Sequence, residues 1–218
     1  MIIRILLIIF LMPLTSNGQS KINKQYSYLA LGDSYTIGES VEENDRWPVQ
    51  LANNLSKIKK PKIIAKTGWT TYELIDTLNK IDLKKYDYVS LLIGVNNQYR
   101  GNSIKNFKSD FKLLLKKSID YAYGNKENVF VVSIPDWGVT PFAKNKNKNK
   151  NLIKREINSF NKVIKRECKK NNVAYFNITK ISRNAQNDLT LLADDGLHPS
   201  KIMYKQWVEI IKPYFNNY

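Results

Sequence analysis

Short apolar runs recur along the chain at residues 27–31, 62–66, 88–93, 129–134 and 173–177. Most are rich in β-branched or aromatic residues, and they read as strands covered on both faces. Between them, apolar positions fall at helical spacing over residues 47–58, with Pro48 in the first turn, and over 72–78, 104–121 and 152–170. A last helical pattern runs from about residue 201 to 212. Strands alternating with helices predict right-handed crossovers, a parallel sheet and a three-layer α/β/α sandwich. Residues 144–150 alternate lysine with asparagine and read as a mobile, solvated loop.

This order says where chemistry can sit, because ligands of an open parallel sheet gather at the carboxyl ends of its strands. The first run leads into Gly32-Asp33-Ser34, which makes Ser34 a candidate nucleophile. Taken alone, the tripeptide fits a turn or a helix cap equally well. The single histidine, His198, lies in Asp194-Asp195-Gly196-Leu197-His198-Pro199. A neutral imidazole is the side chain suited to take a serine proton near neutral pH. Its other ring nitrogen needs an acceptor, and Asp195 is placed to be one, with Asp194 as the substitute. By itself His198 also fits an exposed loop ahead of a helix. Gly68 lets the backbone turn closely enough to point an amide into a crevice, while Thr70 or Thr71 could cap the helix that follows. The side-chain amide of Asn96 fits either an oxyanion donor or the closing of a turn.

Together, Gly32-Asp33-Ser34, Gly68, Gly94-Val95-Asn96-Asn97 and Asp195-Gly196-Leu197-His198 resemble the four sequence blocks of the GDSL-type SGNH hydrolases, in order and in spacing. These are serine esterases and lipases, lysophospholipase-like enzymes among them. The resemblance spans nearly all of the chain after about residue 25. It implies a flavodoxin-like, five-stranded parallel sheet of order 2-1-3-4-5. It also implies an esterase that forms an acyl-enzyme on Ser34, with His198 as base, Asp195 as its partner, and an oxyanion hole of the Ser34 and Gly68 amides and the Asn96 side chain. Two positions depart from the family pattern: Tyr35 replaces the usual leucine, and Asn97 stands where an aspartate is common.

The segment after the fourth strand offers Trp137 and Phe142 as apolar surface for an acyl or aryl group, and Arg46, Trp47, Tyr99 and Arg100 are further candidates for the rim. The residues leave the small-molecule or lipid substrate open among a lysophospholipid, a short-chain ester, a thioester and an acetylated sugar. A carbohydrate O-deacetylase acting on an exported glycan and a non-enzymatic polyanion-binding protein are the competing classes.

Composition and the amino terminus complete the expectations. Arg4, the apolar run over residues 5–12, Pro13 and Ser16-Asn17-Gly18 read as a secretory signal peptide over residues 1–18. That leaves 19–218 as one exported hydrolase domain, periplasmic or secreted; a retained anchor is the alternative, although the run is short for a membrane span. The net charge of +16 implies weak attraction to anionic surfaces. No basic-and-aromatic motif argues for specific nucleic-acid binding, and no stable protein partner is expected. Cys168 is the single cysteine, so an internal disulfide is excluded, and it reads as a half-buried filler. One histidine and one cysteine give few zinc ligands. With no phosphate-binding glycine loop or dinucleotide fingerprint either, neither metal nor cofactor is expected.

Overall fold

The computed structural model describes residues 24–215, so the signal-peptide reading of residues 1–18 lies outside the described residues. The strands β1 (Tyr28–Asp33), β2 (Lys62–Lys66), β3 (Tyr88–Leu92), β4 (Val129–Val132) and β5 (Ala174–Phe176) form one parallel sheet in the order 2-1-3-4-5. Leu31 of β1 lies between Ile64 of β2 and Leu91 of β3. Every residue of β1, β3 and β4 is buried, whereas the edge strands β2 and β5 are partly exposed. The mostly apolar character of these three strands thus has its cause in helices covering both faces. Each fully buried leucine, valine or phenylalanine contributes about 1.5–3 kcal/mol relative to leaving it exposed.

The covering layers are α1 (Ser34–Ile37), α2 (Trp47–Asn53), α3 (Thr71–Lys80), α4 (Val95–Tyr99), α5 (Ile104–Tyr121), α6 (Pro141–Asn145), α7 (Lys150–Asn171), α8 (Thr179–Arg183) and α9 (Lys201–Ile211). Thr70 and Glu73 form a reciprocal capping box at the start of α3, so Thr70 is the capping threonine. α2 ends at Asn53, short of residue 58. The Asn54 side chain donates back to the Gln50 carbonyl at 2.8 Å, competing with helix propagation, and Ile58 turns away to bridge with Tyr26.

Residues 144–150 are not one loop. α6 runs to Asn145 and α7 starts at Lys150, each capped by a side chain: Thr140 accepts from the Ala143 amide and Asn149 from the Leu152 amide. The alternating lysines and asparagines hid two helix ends joined by a tight turn, in which Asn147 takes the left-handed conformation. Cys168 is not half-buried but fully buried on the inner face of α7, and that burial pushes its thiol up to about 12.

β1 continues two residues beyond the expected end, because Gly32 and Asp33 still pair with Ala65 and Lys66. A Cβ on Gly32 would stand 2.1 Å from Thr36 Oγ1 and 2.4 Å from the Leu92 carbonyl oxygen, and the latter is fixed within the sheet. Asp33 is fully buried, and one of its carboxylate oxygens has no hydrogen-bond partner. Burial pushes this carboxyl up to about 7, although hydrogen bonds from the backbone of Tyr35, Asp33 and Gly94 act in the opposite direction.

Gly32→Ala should lower stability by about 1–3 kcal/mol in urea unfolding, through overpacking against immovable backbone; unchanged stability would contradict the close approach. A pH-dependent effect is expected at Asp33. Between its ordinary value of 3.8 and about 7, the unfolded chain releases this proton while the folded chain keeps it. The folded state therefore loses stability as pH rises through that window and loses no more above it. Asp33→Asn removes the titration, so the melting temperature of the variant relative to the parent should rise from about pH 4.5 to about pH 8. A difference that does not vary with pH would show that Asp33 ionises normally.

Candidate active site

Ser34 is the first residue of α1, immediately after β1, and it is 3% exposed. Asp33 caps the helix by accepting from the Tyr35 amide at 3.0 Å. Gly38 ends α1 in the left-handed conformation and donates to the Ser34 carbonyl at 3.0 Å. The nucleophile candidate is thereby fixed between a strand and a four-residue helix, at the carboxyl edge of the sheet.

Two neighbouring strand ends bring in Gly68 and Asn96. Gly68 has φ +83°, which an L side chain rarely adopts. Its carbonyl accepts from Arg100 Nη2 at 2.6 Å, and Arg100 Nη1 reaches Glu73 at 3.1 Å. Asn96 lies in the first turn of α4 and donates one amide hydrogen bond to the Trp69 carbonyl at 3.0 Å. That bond fixes the plane of the side-chain amide and leaves its second N–H for another acceptor. Asn97 is buried, accepting from the Thr71 amide at 3.0 Å and donating to the Thr71 hydroxyl at 2.8 Å. An ionised carboxylate could accept but not donate here, so the neutral amide suits this lock between α3 and α4.

His198 arrives from the segment between α8 and α9. Pairing between Leu192 and Pro199, together with a 2.8 Å bond from the Ala193 amide to the His198 carbonyl, closes this segment into a narrow loop. Asp195 sits at its tip. One carboxylate oxygen accepts from the backbone amides of Leu197 and His198, both at 2.9 Å. The other contacts His198 Nδ1 at 2.6 Å and accepts from the Ser40 hydroxyl at 2.8 Å. Burial pushes the Asp195 carboxyl up, but these bonds from His198, Leu197 and Ser40 outweigh it and hold the group below its ordinary value. Asp194 is exposed and makes no hydrogen bond to the imidazole among the described residues. The Tyr35 ring packs 5.0 Å from the His198 ring, centroid to centroid.

Ser34, Asn96 and His198 line one cavity of about 110 Å³, with Tyr35, Val95 and Leu197 supplying apolar surface. Tyr99, Trp137 and Phe142 form its aromatic wall; the centroids of Tyr99 and Trp137 are 5.2 Å apart, and those of Trp137 and Phe142 are 6.2 Å apart. The Trp137 indole donates to Gln98 at 2.7 Å, and Gln98 donates to Glu156 at 2.7 Å. The buried Asp136 carboxylate, paired with Arg183 at 2.8 Å, holds the turn that carries Trp137. Gly68 lies at the adjoining strand end, outside the residues that line this cavity.

Arg46 and Trp47 do not reach the rim. Trp47 opens α2 on its buried side and packs against Phe130 at 6.4 Å, while Arg46 lies along Gly38. Arg100 grips Gly68 rather than lining the cavity. Ser40, Gln98 and Glu156 join the site without having been expected from the sequence. Gln98 adjoins the third block and could have been noticed there; Ser40 carries no such signal, since 155 residues separate it from Asp195. A larger cavity of about 280 Å³ opens among Tyr26, Ile58, Tyr88 and Phe215, and it contains no histidine. Among the described residues, no cluster of histidine, cysteine and acidic side chains is placed to hold a metal, and no helix is long and apolar enough to cross a membrane.

The arrangement has counterparts of the same fold. The TesA structure superposes with a TM-score of 0.66 at 16% identity, covering 88% of this chain and 98% of that one. The psychrotrophic esterase EstA from Pseudoalteromonas sp., in a structure inhibited by monoethylphosphonate, gives 0.63 at 19%, covering 88% and 99%. An acetyl xylan esterase from Geobacillus stearothermophilus gives 0.61 at 14%, covering 89% and 97%. At these identities the likeness is one of fold. No curated protein matches the sequence significantly. The model of the GDSL-like lipase/acylhydrolase family matches residues 30–206, a span that runs from β1 through the His198 loop into α9, and the chain belongs to that family.

Proposed function

We propose that the protein hydrolyses carboxylic esters of short acyl groups through an acyl-enzyme on Ser34. The observation that carries this reading is that Ser34, Asn96 and His198 share one cavity while Asp195 holds Nδ1 of the imidazole. With Nδ1–H given to Asp195, the Nε2 lone pair is the free base. It takes the Ser34 proton as Oγ attacks the ester carbonyl, and the tetrahedral oxyanion is held by the Ser34 and Gly68 amides and the second N–H of Asn96. Collapse breaks the bond to the alcohol oxygen, which leaves with the proton from His198. Water then attacks the acyl-enzyme by the same route and frees the acid and Ser34.

Cavity size supports a short acyl group: about 110 Å³ is well below the roughly 300 Å³ at which pockets enclose drug-sized ligands. The indole of the wall is held by Gln98, so a long acyl chain would have to displace an anchored ring. The same size suits an acetyl group carried on a sugar, which keeps carbohydrate O-deacetylation as the second reading. A pure polyanion-binding role leaves the Asp195–His198–Ser34 grouping unexplained. Export remains part of the proposal on the pattern of residues 1–18 alone.

In a series of p-nitrophenyl esters, kcat/KM should be highest for the shortest acyl groups. Ser34→Ala and His198→Ala should each lower kcat by at least about 1000-fold without loss of folded structure by circular dichroism. Near-normal turnover in either variant would overturn the assignment. Asn96→Ala should lower kcat by about 100-fold or more, as for loss of one oxyanion donor. Phe142→Ala, which shortens the wall without removing a buried anchor, should move the preferred acyl length upward; an unmoved preference would place the acyl group elsewhere.

A further inference from the structure

The turn after α1 takes no part in the reaction just described, yet it touches both halves of the machinery. The Ser40 hydroxyl donates to the same Asp195 oxygen that contacts His198 Nδ1. One residue earlier, the Glu39 carboxylate accepts a hydrogen bond from the hydroxyl of Thr67, which directly precedes Gly68. One short stretch therefore links the acid of the His198 loop to the turn that carries the candidate oxyanion amide.

Ser40 makes its contact from an unfavourable backbone conformation. Its φ is 63°, in the left-handed region where glycine is at ease and serine is strained. A turn serving only to reverse the chain would be better made with glycine. Strained non-glycine backbone persists where surrounding contacts over-determine it, and it concentrates at functional sites.

The acceptor side shows what the hydroxyl contributes. A carboxylate oxygen offers two lone pairs. At Asp195 the backbone-facing oxygen accepts from two amides, and the other is shared between His198 and Ser40. The side chain of Asp195 is 29% exposed. Without the serine hydroxyl, water would compete for that oxygen, and among the described residues no bond from outside the His198 loop would hold the carboxylate.

We propose that Ser40 is a positioning residue of the catalytic site: its hydroxyl fills one lone pair of the Asp195 oxygen and keeps the other aimed at His198 Nδ1, while Glu39 holds the Thr67-Gly68 turn to the same support. This rests on the assignment of Ser34, His198 and Asp195 in the proposed reaction. Ser40 itself touches no reacting atom.

Three substitutions separate the hydroxyl from the backbone. Ser40→Gly removes the donor and relieves the left-handed strain; Ser40→Ala removes the donor and keeps the strain; Ser40→Asn keeps a donor on a side chain that tolerates the conformation. For Gly and Ala, kcat on p-nitrophenyl acetate should fall about 10-fold with KM within about two-fold, as for a misplaced catalytic group. The melting temperature of Ser40→Gly should equal or exceed that of the parent, and Ser40→Asn should recover part of the lost kcat. Because His198 is the single histidine, its Nδ1 proton can be followed by NMR without substrate, and its downfield signal should shift upfield or broaden in the Gly and Ala variants. A Ser40→Gly protein with parental kcat and an unchanged Nδ1 signal would overturn the proposal. A parent that turns over no ester, but whose Nδ1 signal depends on Ser40, would refute the esterase reading and leave the coupling intact.

Discussion

At the carboxyl end of β1 the chain passes from strand to helix with no intervening loop residue, and the site depends on how tightly that junction is made. Gly32 admits Thr36 and the β3 carbonyl into space a methyl group would occupy. Asp33 then caps α1 from a fully buried position, at the cost of a carboxyl that burial drives toward neutrality. Thr36 Oγ1, like one oxygen of Asp33, has no hydrogen-bond partner among the described residues. Polar groups left unsatisfied beside a nucleophile candidate destabilise the fold locally, and the buried strands on either side of β1 offset that cost.

The rest of the arrangement follows from parallel strands. Because β1, β2 and β3 lie side by side and run the same way, Ser34, Gly68 and Asn96 emerge at one edge without any long-range device. His198 has no strand to bring it there. Its loop is instead closed on itself by the Leu192–Pro199 pairing, propped by the Tyr35 ring, and tied through Asp195 to Ser40. His198 therefore depends on side-chain contacts for its place, where Ser34 depends on backbone geometry.

Legibility in the sequence divides along the same line. The strands are legible because β1, β3 and β4 are buried on both faces and are mostly apolar, with Ser90 the one polar residue inside β3. Ser34 and His198 stood out because a serine at a strand end and a single histidine three residues past an aspartate have specific chemistry. Asn97 was visible as a departure, but only the Thr71 contacts give a reason for its amide. Trp47 is a candidate for the rim in the sequence because helical spacing does not say which face of α2 is covered. The stretch at residues 144–150 is largely exposed, as its lysines and asparagines suggest, but its two helix ends are not legible because the cap residues Thr140 and Asn149 are ordinary polar side chains until their partners are known. The Ser40–Asp195 and Gln98–Trp137 bonds join residues far apart in sequence, and no local pattern encodes such pairs.

Covalent labelling tests whether Ser34 is an activated nucleophile. The protein would be treated with a fluorophosphonate, digested, and the adduct located by peptide mass spectrometry, with His198→Ala treated in parallel. A single adduct on Ser34 is expected, suppressed by a short-chain ester and lost in the His198 variant. An adduct on another residue, or hydrolysis of esters by a protein that Ser34 labelling leaves fully active, would contradict it.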